Sequence, residues 1–404
     1  MTYNHARLPL LLIFCLMAFG IASESFADEQ DLINVYAGRS ETWDNNLFRL
    51  PENVDPFPLT GGHERAERIS DTYAGIQADK PLGLQKFHLD ATYSSYKYQH
   101  YKNLDATTRD YNADWKWALT PQLTGTLSGE KNQSVTDFLT YQLYTKPNVV
   151  TTDHRYFFAD WAPLGNWHLV GTLSNGSSRN SEQQYSQVAS SQYRTEEGGV
   201  KYVYPSGTSM AVLYRKTFGD YLNRVPDAFT QIDSGYRQYD KEIVIEWPIT
   251  GKSRIDARMG YEKRKHDNFV SRDYAGRTGR LAYTTEITGK IFVTASGDRS
   301  YHSYQDTFSS YNISDVESIQ AKWMTSTKLG FVVRLDSTRT NYYGEIVASA
   351  PRNDRVNTSN LEFDWTPVKE ISLIGKTARQ RRKSTLTGFD FTDTTSTLTL
   401  QIKF

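Results

Sequence analysis

The last fourteen residues, Phe391 to Phe404, read FTDTTSTLTLQIKF, with Leu398, Leu400, Ile402 and Phe404 on alternate positions and Thr399, Gln401 and Lys403 between them. A period of two predicts a strand with one apolar and one polar face. A terminal strand of this kind leaves an exposed greasy edge in a soluble protein, and closure into a barrel removes that edge. The alternation recurs upstream. Ile33, Val35 and Ala37 alternate with Asn34, Tyr36 and Gly38, and Ala113, Trp115, Trp117 and Leu119 with Asn112, Asp114 and Lys116. Ile255, Ala257, Met259 and Tyr261 stand against Arg254, Asp256, Arg258 and Glu262, and Leu329, Phe331, Val333 and Leu335 against Arg334 and Asp336.

Turn signals punctuate these strands at Pro81, Pro121, Pro163, Pro205, Pro248, Gly289, Lys328 and Pro367, at intervals of 39 to 43 residues. A fixed period marks a repeated unit, here a hairpin made of an upward strand, a longer polar loop and a downward strand. Eight tight turns join sixteen strands in pairs, and a first and a last strand bring the number to eighteen. Tight turns at one end and loops rich in Ser, Asn, Tyr and Asp at the other match the periplasmic and extracellular ends of an outer-membrane barrel. The longest early loop, Asp44 to Glu67, holds Pro51, Pro56, Pro58 and Gly61-Gly62 and is the best candidate for a plug. The expected fold is therefore an all-β, transmembrane antiparallel barrel of the bacterial outer membrane with about 18 strands.

Tryptophan supports this assignment independently. Trp115, Trp117, Trp161, Trp167, Trp247, Trp323 and Trp365 all lie beside tight turns, which gathers seven of the eight at one rim, the level where an amphipathic indole meets lipid headgroups. Tyr101, Tyr221, Tyr239, Tyr301, Tyr304 and Tyr343 are expected at the opposite rim.

The amino terminus gives the compartment. A basic Met1–Arg7 segment, an apolar run from Leu8 to Ala22 and Ser25-Phe26-Ala27 form a signal peptide over 1–27, so the mature barrel spans 28–404. The apolar run is too short for a spanning helix. Cys15, the only cysteine, lies inside it after a bulky Phe14, which argues against lipid anchoring. The mature chain then has no thiol and no disulfide framework. Loss of the leader removes Arg7 and Glu24 and leaves the charge balanced, so no global field draws the chain to nucleic acid.

Catalytic motifs are absent. Gly251-Lys252-Ser253 and Gly375-Lys376-Thr377 lack the upstream glycine of a phosphate loop, there is no Gly-x-Ser-x-Gly elbow, and the mature histidines lack zinc-ligand spacing. No cofactor or metal is expected. The polar strand faces remain. Asp114, Lys116, Arg254, Asp256, Arg258, Glu262, Arg280, Glu286, Arg334 and Asp336 point away from lipid on the alternation, because a Lys or Arg on the lipid face costs about 2–4 kcal/mol at the midplane. They are candidate pore-lining residues. The competing reading is a salt-bridged wall that keeps the barrel round. Both signs interleave, which argues against a strongly ion-selective constriction. Tyr36, Tyr156, Tyr96 and Tyr98 are candidates for stacking on sugar rings, with packing within the wall as the equal alternative.

Several stretches resemble the EpsL-type outer-membrane proteins of exosortase and PEP-CTERM exopolysaccharide systems: Asp44–Pro51 (DNNLFRLP), Ala78–Pro81 leading to Leu84–Asp90, Tyr111–Pro121 (YNADWKWALTP), Tyr202–Thr208 (YVYPSGT) and Asn360–Arg382. The likeness spans essentially the whole mature chain and implies a barrel that takes part in making or exporting an extracellular polysaccharide. It carries over no catalytic or ligand residue. The expected function is a non-enzymatic conduit or accessory in the outer membrane, acting on polysaccharide beside periplasmic and inner-membrane export partners. Outer-membrane lipid and the barrel-insertion machinery, which reads a terminal Phe such as Phe404, are the other expected partners. The alternatives are a general or substrate-uptake porin, which would fold a long loop inward, and an outer-membrane hydrolase.

Overall fold

The computed structural model describes residues 32–135, 138, 146–306, 308–347 and 350–404. The expected signal peptide, with Cys15, lies outside them. Eighteen strands follow one another along the chain. The first nine are β1 (Ile33–Asp44), β2 (Glu67–Leu82), β3 (Gln85–Tyr98), β4 (Ala106–Thr120), β5 (Leu123–Val135), β6 (Val149–Leu164), β7 (Trp167–Asn180), β8 (Ser191–Val203) and β9 (Ser209–Tyr221). The rest are β10 (Gly235–Thr250), β11 (Ser253–His266), β12 (Tyr274–Thr288), β13 (Ile291–Ser303), β14 (Tyr311–Met324), β15 (Leu329–Tyr343), β16 (Asn353–Val368), β17 (Ile371–Ser384) and β18 (Phe391–Lys403).

Each strand pairs antiparallel with its neighbours in sequence, and β1 pairs with both β2 and β18, so the sheet closes. Closure satisfies every edge, the condition for strands in lipid. The seam is well made. Val35 and Phe404 exchange backbone hydrogen bonds of 3.0 and 2.7 Å, and Ser40 and Thr42 hydroxyls meet those of Thr399 and Thr397 on the polar side. Phe404 itself is half exposed.

Cross-strand register carries one outward phase around the whole barrel. Trp115 stands opposite Leu127, Leu127 opposite Phe157, Trp161 opposite Leu169, and Leu373 opposite Leu400. This apolar phase is convex: Ile243 and Leu169 keep 37% and 48% exposure, whereas Asp240 and Glu242 on the polar phase keep 4% and 9%. A concave polar face and a convex apolar one are what a barrel with a wet interior in lipid requires.

Pro121 and Pro205 lie in the tight turns themselves, Pro81 and Pro248 are paired in the strand ends just before them, and Pro163 and Pro367 fall at register shifts, between Trp161 and Leu164 and between Trp365 and Val368. A bulge leaves one residue unpaired, which suits a residue without an N–H. The seven turn-side tryptophans lie on the outward phase at that rim. Trp117 lies flat over Gly125, stacked on Phe157 at 6.0 Å, and a Cβ on Gly125 would come within 2.3 Å of its ring.

The tyrosine expectation needs correction. Tyr239 faces outward, but Tyr101 is buried at 6% exposure among loop residues, Tyr304 packs in a loop against Tyr342, and Tyr221 turns toward Tyr236 on the inner phase. The outward tyrosines above the apolar belt are instead Tyr93, Tyr111, Tyr214 and Tyr261, all exposed.

Candidate functional site

All ten charged candidates fall on the inner phase, in three separate groups. On β4, Asp114 accepts from the Asn112 amide at 2.9 Å and stands opposite His88, and Lys116 stands opposite Lys86. On β15, Arg334 and Asp336 pair at 2.8 Å. The other six lie on β11 and β12. Arg254 pairs with Asp256 at 2.8 Å, Arg258 reaches Glu242 at 3.4 Å, Glu262 stands opposite Asp240, and Glu286 lies 3.6 Å from Lys252 near the turn. Arg280 stands between Arg258 and Asp298 on neighbouring strands.

This third group extends onto residues that the sequence reading missed. Arg215 on β9 bridges Glu197 at 2.7 Å and Glu242 at 3.1 Å. Arg264 donates to Gln238 and lies over the Tyr236 ring at 3.9 Å. A recess of about 600 Å³ opens along this wall, lined by Arg215, Asp240, Glu242, Arg258, Glu262 and Arg280. The missed residues obey the same alternation: Ile243, Ile245 and Trp247 face outward, so Glu242 and Glu246 face inward. The wall is a braid of paired charges of both signs, which lines the interior with polar partners without a field of one sign.

The first long loop makes the second feature of the interior. Leu47, Phe48 and Leu50 are buried with Tyr98, Tyr101, Leu104 and Phe138, and Ile69 and Tyr96 pack against them. Ile69, Tyr96 and Tyr98 are on the inner phase of β2 and β3, so the loop lies against the inside of the wall. Phe48 packs edge-on to Tyr101 at 4.8 Å and against Phe138 at 4.7 Å. Arg49 takes a left-handed backbone, φ 55°, uncommon for a non-glycine residue. Its guanidinium meets Asp44 at 2.8 Å and Asp393 at 3.6 Å, both inner-phase carboxylates. Asn46 donates to the carbonyls of Leu50 at 2.9 Å and Thr392 at 3.0 Å. The loop thus covers the inner face of β18, β1, β2 and β3 at the long-loop end. Tyr98, a stacking candidate, is sealed beneath it at 7% exposure. Tyr36 and Tyr156 keep inward positions: Tyr36 reaches across Gly75 to Asp90 at 3.0 Å, and Tyr156 stacks beside Phe158.

Across the barrel mouth the loops are held by two buried groups. Arg272, fully buried, donates to the carbonyls of Gln231 (3.0 Å), Thr230 (2.6 Å), Asp306 (2.7 Å) and Ser309 (2.6 Å) and to the Ser310 hydroxyl (3.3 Å). Asp233, also fully buried, accepts from the backbone of Ser234, Gly235, Asn268 and Phe269 and from the Asn268 amide. Burial by itself would raise the Asp233 pKa, and the Asn268 side chain with these backbone donors outweighs it and holds the carboxyl below its usual range.

The near-motifs are structural. Gly251-Lys252 forms the turn after β10, and Lys376 pairs with Glu362 at 3.1 Å inside the barrel wall. Among the described residues, no group of three or more His, Cys, Asp or Glu is placed to hold a metal ion.

No protein-family model and no curated protein matches the chain. Solved structures share its fold. OccK9 (OpdG) of Pseudomonas aeruginosa aligns with a TM-score of 0.51 at 10% identity over 92% of this chain and 98% of that one. The outer membrane protein OpdK of the same organism aligns at 0.51, with 10% identity over 93% and 99%, and OccAB3 of Acinetobacter baumannii at 0.50, with 10% identity over 92% and 99%. The chain is an eighteen-stranded outer-membrane β-barrel of the same architecture as these proteins.

Proposed function

We propose that the barrel is a porin that admits small hydrophilic solutes, without catalysis, and that its first long loop narrows the outer mouth. The observation that carries this reading is the inward packing of Leu47, Phe48 and Leu50 on the inner face of β2 and β3. A conduit for a wide polymer gains nothing from a loop anchored across four inner strand faces, whereas a sieve for small solutes does. The braided charges along β9–β12 suit neutral or weakly charged solutes.

Export of exopolysaccharide is the second reading. It draws its support from the resemblance, because the Asp44–Pro51 run that helps carry it is the run that builds the inward cluster. In that case the loop gates a glycan, and periplasmic partners deliver it.

Liposome swelling with sugars of graded size separates the two. A porin admits mono- and disaccharides and excludes long dextrans, and loss of its gene leaves secreted polysaccharide unchanged. Polymer trapped in the periplasm of the deletion strain, with no swelling in any sugar, would replace the first reading by the second.

A further inference from the structure

The outward face of the barrel divides into two zones. Toward the short turns it is apolar and Trp-rich. Toward the long loops, every strand except β14 and β18 carries an outward Lys or Arg. Outward acids in that zone occur only on β1, β6, β8, β9 and β14, and most are already engaged: Glu41 with Arg39 and Arg68, Asp153 with Arg179, Glu196 with Arg194, and Asp315 with Arg299. The whole chain has equal numbers of basic and acidic residues, so this is a segregation of charge and no consequence of a basic composition.

The excess is greatest on β15–β17. Arg339 stands directly opposite Arg355, and Arg355 directly opposite Lys383. Arg379 and Arg381 share the outward phase of β17, and all five side chains are exposed. Among the described residues, Arg355 reaches only the Ser337 hydroxyl, at 3.4 Å. Like charges directly opposite one another destabilise a sheet pair. Asp315, opposite Arg339 on β14 and shared with Arg299 at 3.7 Å, offsets one end of the row, and the Arg355–Lys383 end calls for an anion from outside the chain.

Height on the barrel identifies that anion. Trp365, at the short-turn rim, and Arg355 lie on the same strand face, ten positions apart. At about 3.3 Å per residue and a tilt near 40°, that is roughly 25 Å along the barrel axis. The apolar band of such barrels is also about 25 Å tall. Arg339, Arg355 and Lys383 therefore sit at the outer headgroup plane, opposite the tryptophan rim, with Arg381 and Arg379 one and two outward positions below them on the lipid face. Guanidinium groups bind phosphate in bidentate fashion, and a row of three matches a headgroup with more than one phosphate.

We infer that Arg339, Arg355 and Lys383, with Arg379 and Arg381 beside them, form a docking surface on the outside of the barrel for the phosphorylated headgroup of outer-leaflet lipopolysaccharide. The surface is independent of the passage within. It clamps an annular glycolipid against β15–β17, in place of the divalent cations that otherwise bridge neighbouring phosphates.

Native mass spectrometry of the full chain in detergent, after exchange into lipopolysaccharide or its phosphatase-treated form, tests this. The wild-type protein should retain the phosphorylated lipid and lose at least about tenfold in retention when the phosphates are removed. That comparison involves no variant and so no folding defect. Arg339→Gln/Arg355→Gln/Lys383→Gln should lose retention to a similar extent, whereas Arg179→Gln on β7, nine strands from β16, should not. Equal retention of both lipid forms, equal retention by the triple variant, or full displacement by millimolar inorganic phosphate would overturn the proposal.

Discussion

Phe48→Ala should widen the passage while leaving the barrel intact. Phe48 is 2% exposed and packs on Tyr101 and Phe138, side chains supplied by two other long loops. Truncating a buried Phe to Ala costs about 3–5 kcal/mol, and loops draw on the low end of a protein's local stability. Arg49 and Asn46 still tie the start of the loop to β1 and β18, but on the β2–β3 side Leu47 and Leu50 lose their central neighbour with the ring. The loop should come away from β2 and β3. Single-channel conductance should rise and larger sugars should enter liposomes, at an unchanged melting temperature of the barrel. Phe48→Leu, which keeps most of the volume, should show a smaller change in the same direction. An unaltered conductance in Phe48→Ala would mean that the cluster does not bound the passage.

Arg272→Met should detach the loops on the opposite side of the mouth. From its own segment, 267–273, the guanidinium satisfies acceptors in two others, 222–234 and 304–310. Hydrogen bonds to a charged group contribute about 1.5–3 kcal/mol each and do not add simply. Removing the donor leaves buried carbonyls without a partner, so the expected loss is on the order of 3–5 kcal/mol. It falls on the loops, since the strand ladders do not depend on Arg272. Limited proteolysis should cut at 222–234 and 304–310 in the variant and spare the wild type, with Asp233 still tying 267–269 to its own segment. Identical digestion patterns would assign the anchoring of these loops elsewhere.

The strand pattern was legible because lipid outside and water inside impose period two on every strand. Leu398, Leu400 and Ile402, or Ile255, Ala257 and Met259, announce their face without further context. Six of the eight tight turns announced themselves through prolines, which lie in the turn at Pro121 and Pro205 and, at Pro163 and Pro367, in the bulge before it, where a missing N–H goes unmissed. The inward loop was not legible. Leu47, Phe48 and Leu50 follow no period, and their partners Tyr98, Leu104 and Phe138 lie far along the chain, so the plug candidate was recognised by length and proline alone. Tyr101 went astray for the same reason, being drawn from the rim into that cluster. Arg272 looks like any loop arginine until three loops converge on it. The paired acids and bases of β9 and β10 are within reach of the alternation, since Glu242 stands between the outward Lys241 and Ile243, but the apolar run Ile243-Val244-Ile245 blurs the period there.

The passage through a polar interior is tested most directly by adjacent cysteines in a chain whose only native cysteine lies in the expected leader. Ser318 is on the inner phase of β14 and Ile319, its neighbour, on the outer. A charged, membrane-impermeant thiol reagent added to Ser318→Cys in a planar bilayer should react and cut the conductance, and Ile319→Cys should neither react nor change it. Block through Ile319→Cys, or no conductance to block in either variant, would contradict a water-filled passage behind the apolar wall.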